Sequence, residues 1–183
     1  DEGRQLPQGT SGHIVGRTLG MSPGYHDDEE NSRKSFRVFE GDSEGLEWMM
    51  TGDIGFLDEE GLLTIVDRAK DIIITGGENV ASVEVESVVA AHPKVRECAA
   101  VGLPDERWGE KVVIVIAAAG EGGEEAIARE VISLCRAQLA GYKVPKEVAF
   151  LGALPRSPFG KVLKRELPAA AFACRFETAG WKS

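Results

Sequence analysis

The chain is poor in the residues that build metal centres and disulfide frameworks. Its three cysteines, Cys98, Cys135 and Cys174, lie far apart with no paired spacing. They read as buried or incidental thiols, because a disulfide framework or a thiolate metal knot needs close, repeated pairs. The three histidines, His13, His26 and His92, are equally scattered, whereas metal sites need clustered ligands. His92 precedes Pro93 at the end of an apolar helical pattern and reads as structural. Long hydrophobic runs are also lacking. The longest, residues 112–119, is too short to cross a bilayer. No secretory pattern opens the chain, so a cytoplasmic placement is expected. Basic residues are outnumbered 21 to 30, for a net charge of −9 at pH 7. Binding a phosphate backbone calls for a basic surface, which argues against nucleic acid as a partner. A local basic site for a small anion stays open.

Hydrophobic residues make up 43% of the 183 and charged residues 28%, values typical of a folded chain. The length suits one medium domain or two small ones. The first residue is Asp1 and not Met, so the chain is expected to begin inside a longer protein.

Residues 1–66 read as short strands and turns, with apolar stretches at 13–15, 36–39, 54–57 and 62–66 between Gly, Asp, Glu and Ser clusters. Asp58-Glu59-Glu60-Gly61 suits a hairpin loop, in which Gly61 supplies the positive φ. From Asp67 the pattern changes. Val85, Val88, Val89 and His92 recur at helical spacing, which predicts a helix over 82–91 with Pro93 just beyond it. Residues 95–101 and 111–119 read as strands, the second apolar enough to be central. Ile127, Val131, Leu134, Cys135 and Leu139 mark a second helix, stopped by Gly141. Residues 148–151 predict a third strand, and 161–173 a terminal helix. The fold class is therefore α+β. A β-rich segment, 1–66, precedes a small α+β domain, 67–183, with a short sheet flanked by helices.

Three clusters can carry chemistry. Thr51-Gly52-Asp53 opens a strand. Its carboxylate suits a ribose diol, or it is a turn Asp bonding its own backbone. Asp67-Arg68-Ala69-Lys70-Asp71 and Thr75-Gly76-Gly77-Glu78-Asn79 flank an apolar strand. Arg68 offers a planar fork for hydroxyls or phosphate, and the Gly pair permits close approach of a ligand. A solvated linker and an ordinary turn are the plain alternatives. Pro155-Arg156-Ser157-Pro158-Phe159-Gly160-Lys161 is a stiff loop that puts a lysine at its tip. It lacks the upstream glycine of a Walker loop. The plain alternative here is a basic flank shared with Lys164 and Arg165.

The order and spacing of these clusters resemble the adenylate-forming superfamily, which includes acyl-CoA synthetases, luciferases and adenylation domains of peptide synthetases. Val83-Glu84-Val85-Glu86, His92-Pro93-Lys94-Val95, Val101-Gly102-Leu103-Pro104-Asp105 and Trp108-Gly109-Glu110 fit as well. Gly76-Gly77-Glu78-Asn79-Val80 is most similar to fatty-acyl or aryl CoA ligases. The resemblance implies a two-step reaction of a carboxylic acid with Mg-ATP and then CoA. It further implies that residues 1–66 are part of a β-barrel subdomain and that 67–183 form a mobile C-terminal domain. By position, Asp53 would hold the ribose hydroxyls and Arg68 would contact the same nucleotide. Lys70 would be the hinge, Gly76 and Gly77 would face the pantetheine arm, and Lys161 would bridge carboxylate and nucleotide oxygens. The Mg²⁺ ligands, phosphate loop, adenine segment and acyl pocket are expected outside this sequence, so the fragment alone is expected to be inactive. A small polar residue is expected where Phe159 stands. The alternatives are an adenylation module that loads a carrier-protein pantetheine, and a non-catalytic truncated remnant.

Overall fold

A computed structural model describes residues 3–40, 42, 44–118, 123–167 and 174–178. The chain divides into two units, Asp1–Lys70 and Asp71–Ser183.

The first unit is organised by one long strand. Strands β1 (Gly12–Gly16), β2 (Phe36–Val38), β3 (Glu47–Leu57) and β4 (Leu63–Arg68) make a four-stranded antiparallel sheet. β3 is the strand that all the others join. The sheet is open and no closed barrel forms among the described residues. At the β3–β4 turn, Asp58 Oδ1 accepts from the N–H groups of Glu60 and Leu62, and Gly61 sits at φ 81°. That loop is the one its composition predicts. On one face, Leu57 pairs with Leu63 and Gly55 with Ile65. Leu63 and Ile65 there are 51% and 60% exposed, an apolar strip left facing outward.

This unit also holds a helix that the strand-and-turn reading of 1–66 leaves out, α1 (Glu29–Ser35). It has no buried residue, so no apolar period announces it. Asp28 caps it by accepting from the Asn31 N–H, and Glu29–Arg33 and Glu30–Lys34 pair one turn apart. Caps and such pairs stabilise a short surface helix without a core face.

The second unit is a sheet with helices on one side. Its elements are β5 (Ile73–Thr75), β6 (Glu78–Val80), α2 (Ser82–Ala90), β7 (Val95–Asp105), β8 (Gly109–Ala118), α3 (Glu124–Gln138), β9 (Glu147–Phe150) and β10 (Cys174–Glu177). β8 is central. It pairs with β7 and β5 antiparallel and with β9 in parallel. Its alternation explains its unbroken apolar run. Val112, Ile114 and Ile116 point into a core with Val85, Val89, Val131 and Cys135 of the two helices. Val113, Val115 and Ala117 point the other way, into a second core with Leu154 and Leu167. A strand covered on both faces carries no polar alternation. Each fully buried Val or Ile contributes about 1.5–3 kcal/mol. A charge at Val131 would therefore break the α3 face.

Of the terminal helix expected over 161–173, the described part, 161–167, is not α-helical. Val162 instead bridges Arg156, and a single 3-10 turn follows at Lys164–Glu166. Pro168 follows that turn and has no N–H to continue a helical ladder. Residues 168–173 lie outside the described set, and Cys174–Glu177 return as an edge strand on β9. His92 bridges the helices. Its Nδ1 accepts from the Lys94 N–H, and its Nε2 lies 2.9 Å from Glu130 Oε2 of α3. No helix is long and apolar enough to cross a membrane among the described residues.

Candidate active site

The first cluster is built by a bulge. From Leu57↔Leu63 to Gly55↔Ile65 the β3–β4 register is regular. It then slips, so that Ile54 faces Asp67 and Asp53 faces Arg68. β4 thus carries one extra residue, Val66. A one-residue slip turns every later side chain to the opposite face. The slip sets Arg68 opposite Asp53, and Arg68 Nε donates to Asp53 Oδ1 at 2.8 Å. Asp53 is 23% exposed and Arg68 46%, so the pair is reachable from solvent. The Thr51 hydroxyl donates to the Ile14 carbonyl at 2.9 Å and accepts from the Asp53 N–H at 3.1 Å. Gly52, at φ 78°, offers its carbonyl to the Ala69 N–H. The Asp53 backbone is therefore tied to β1, and the backbone beside it to the segment after β4, before any ligand arrives.

Lys70 is exposed in the turn after β4 and is the last residue of the first unit.

Gly76 and Gly77 are the two central residues of the β5–β6 hairpin, at φ 60° and 85°. Positive φ at both positions is the demand of a two-residue hairpin turn, which glycine meets without strain. The Gly76 N–H donates to the Trp108 carbonyl at 2.8 Å. A Cβ at Gly76 would come within 3.1 Å of the Trp108 indole. The turn is solvent-exposed, so its bare backbone is accessible.

Lys161 stands at the end of a pinned loop. Ser157 N–H donates to the Lys161 carbonyl, Gly160 N–H to the Ser157 carbonyl, and Leu163 N–H to the Pro155 carbonyl. The Ser157 hydroxyl accepts from the Lys161 N–H at 3.2 Å. Ser157 stands within the loop that the sequence picks out, but the sequence gives it no role of its own. Its place four residues before Lys161 in a proline-bounded loop was the available signal. The Lys161 side chain is exposed and its ammonium has no ion-pair or hydrogen-bond partner among the described residues. Its basic neighbours differ: Arg156 pairs with Glu97 and Lys164 with Glu86. Phe159, at the tip, is 98% exposed.

The chain thus brings Asp53 and Arg68 together in one unit, and carries Gly76, Gly77 and Lys161 in the other. Cys98 and Cys135 are not poised as nucleophiles. Burial pushes Cys98 up to about 12 and Cys135 up to about 11, so neither is a thiolate near neutrality. No group of three or more His, Cys, Asp or Glu side chains could hold a metal among the described residues.

Residues 84–161 match the AMP-binding enzyme C-terminal domain, with Lys161 at the end of the match. The 2-succinylbenzoate–CoA ligase of Bacillus cereus is 42% identical over 91% of this chain and 32% of its own length. The chain thus spans about a third of the length of the curated relatives it matches. Among solved structures, o-succinylbenzoate CoA synthetase from Bacillus subtilis, in complex with an acyl-adenylate intermediate, is 32% identical with a TM-score of 0.81. That match covers 94% of this chain and 33% of the other. ATP-bound MatB from Rhodopseudomonas palustris is 37% identical with a TM-score of 0.76, over 90% of this chain and 31% of the other. With the order of its clusters, its fold and these relatives in agreement, the chain carries the AMP-binding enzyme C-terminal domain of the adenylate-forming family, and its relatives are CoA ligases.

Proposed function

We propose that this chain is the C-terminal part of an ATP-dependent acyl-CoA synthetase. The observation that carries the reading is Lys161: an exposed ammonium without a partner among the described residues, on a loop held by four backbone and hydroxyl hydrogen bonds. In the first step an acid carboxylate attacks the α-phosphate of ATP and pyrophosphate leaves. Negative charge gathers on the attacking and phosphate oxygens. A lysine about 4 Å from that charge is worth roughly 4 kcal/mol at an effective dielectric near 20. Losing a comparable preorganised contact typically costs about 10²–10³ in rate.

Asp53 holds the ribose hydroxyls in this reading. A carboxylate accepts from both hydroxyls of a diol, and Arg68 fixes its rotamer while presenting further donors to the same nucleotide. In the second step the CoA thiol attacks the acyl carbonyl and AMP leaves. The bare backbone at Gly76 and Gly77 then lies along the pantetheine arm. The two steps need different groups beside one carbonyl, so residues 71–183 rotate about Lys70 between them. The outward apolar strip at Leu63 and Ile65 belongs, in this reading, to a barrel that the remaining length of the enzyme completes.

The test is a panel of acids offered to the full-length enzyme with ATP and CoA: 2-succinylbenzoate, short dicarboxylates and straight-chain fatty acids. Acyl-AMP and acyl-CoA are quantified separately. Acyl-AMP and acyl-CoA from at least one acid are expected. Acyl-AMP released to a carrier protein but never to CoA would transfer the assignment to a carrier-loading enzyme.

A further inference from the structure

Lys164 lies three residues beyond Lys161 and does something different. Its Nζ is 2.6 Å from Glu86 Oε1 and 2.6 Å from the Ser82 hydroxyl, both on α2. The same Glu86 oxygen accepts from the Ala100 N–H of β7 at 2.8 Å. Lys164 and Glu86 are only 19% and 21% exposed, and Ser82 is fully buried. One carboxylate therefore ties a helix, a strand and the segment after the lysine loop at a single point. On the other stem, Arg156 Nη2 lies 3.1 Å from Glu97 Oε2 of β7. Leu154 and Leu167 enter the second core on either side, and Val162 packs against it. The loop from Pro155 to Leu163 is thus anchored at both ends, while Lys161 has no partner among the described residues.

We propose that Lys164 is a positioning residue for Lys161, acting through Glu86 and Ser82. This rests on the adenylation role given to Lys161 above. The physical reason is that an exposed lysine side chain has many rotamers to give up on reaching one position, and an unfixed loop adds more freedom. A partly buried ion pair resists exchange with water better than the more exposed Arg156–Glu97 pair. Fixing the backbone of Leu163 and Val162 limits where the Lys161 ammonium can sit. A displacement of about 1 Å at a catalytic group can cost as much as 10²-fold in rate. The cost should fall on the step that uses Lys161 and spare the other.

The experiment uses the full-length enzyme with 2-succinylbenzoate, or with whichever acid the panel selects. Lys164→Met, Lys164→Arg, Glu86→Gln and Lys161→Ala are compared in the two half-reactions. Amide hydrogen exchange at Leu163, whose N–H closes the loop onto Pro155, is followed in parallel. Lys164→Met and Glu86→Gln should each slow acyl-AMP formation roughly tenfold, and thioester formation from supplied acyl-AMP by no more than about twofold. Leu163 should exchange faster in both, and Lys164→Arg should restore the rate and the protection. If Lys164→Met fails to fold, Glu86→Gln carries the comparison. Loss in equal proportion in both half-reactions would reduce the pair to a structural contact and overturn the proposal. Unchanged adenylation beside a collapsed Lys161→Ala would overturn it and leave the lysine's own role intact. Full adenylation in Lys161→Ala would bring down the underlying reading instead.

Discussion

Arg68 Nε donates to Asp53 Oδ1 at 2.8 Å between directly facing residues of β3 and β4. The pair is half open to water, so as a surface ion pair it adds little to stability, about 0–1 kcal/mol. Its value is in orientation. Asp53→Asn in the full-length enzyme should raise the ATP requirement about 10–100-fold, the loss expected for one charged hydrogen-bonding group. The melting temperature should barely move. Steady-state kinetics against ATP, beside a thermal scan, checks this. A large fall in melting temperature with ATP affinity unchanged would count against nucleotide binding.

Lys161→Ala should slow acyl-AMP formation by about 10²-fold or more. Thioester formation from supplied acyl-AMP should change far less if, as proposed above, the domain rotation carries the lysine away. Single-turnover measurements of each half-reaction separate the two. Equal losses would argue against rotation between steps.

Lys70 sits in an exposed turn at the boundary of the two units. Proline fixes φ near −65° and removes the backbone N–H. Lys70→Pro should preserve whichever half-reaction that φ permits and depress the other, whereas Lys70→Ala should leave both near normal. Two near-normal rates in the proline variant would place the pivot elsewhere.

Glu147 is a different kind of carboxylate. It is buried at the start of β9, which by itself would push its proton affinity up. Hydrogen bonds from Arg175 and Lys111 outweigh burial and hold it below the usual value of 4.5. A carboxyl lowered on folding adds stability that is full above the unfolded value and fades as pH drops through the folded one. Glu147→Gln should therefore destabilise the second unit at pH 7 by about 1–3 kcal/mol. The gap from the unsubstituted protein should close as pH falls below 4.5. Urea unfolding at several pH values gives this directly. A gap that stays constant into acid would mean that the ion pair contributes nothing.

A thiol reagent should find Cys98 and Cys135 slow in the folded protein, since burial holds both thiols protonated. Denaturant should release them. Fast reaction of either in native conditions would show that the core around β7 and α3 opens readily.

Much of the second unit was legible in the residues alone. Val85, Val88 and Val89 carried the period of α2, and the apolar run of β8 announced a strand covered on both faces. These signals are local, because each side chain's neighbours along one element repeat at a fixed spacing. The order of the charged and glycine-rich clusters carried the family likeness. What the sequence could not show were choices made between distant segments. α1 has no buried face and so no period. Val162 pairs with Arg156 instead of starting a helix. The single extra residue in β4 sets Arg68 against Asp53, and a register slip leaves no mark in the chain itself. Lys164 and Lys161 read as one basic flank in the sequence. Only the fold, by setting Glu86 of α2 beside Lys164 and no carboxylate beside Lys161 among the described residues, separated the partly buried pair from the exposed charge. Ion pairing depends on distance through space, and residues 82 and 164 became neighbours only when the sheet closed over α2.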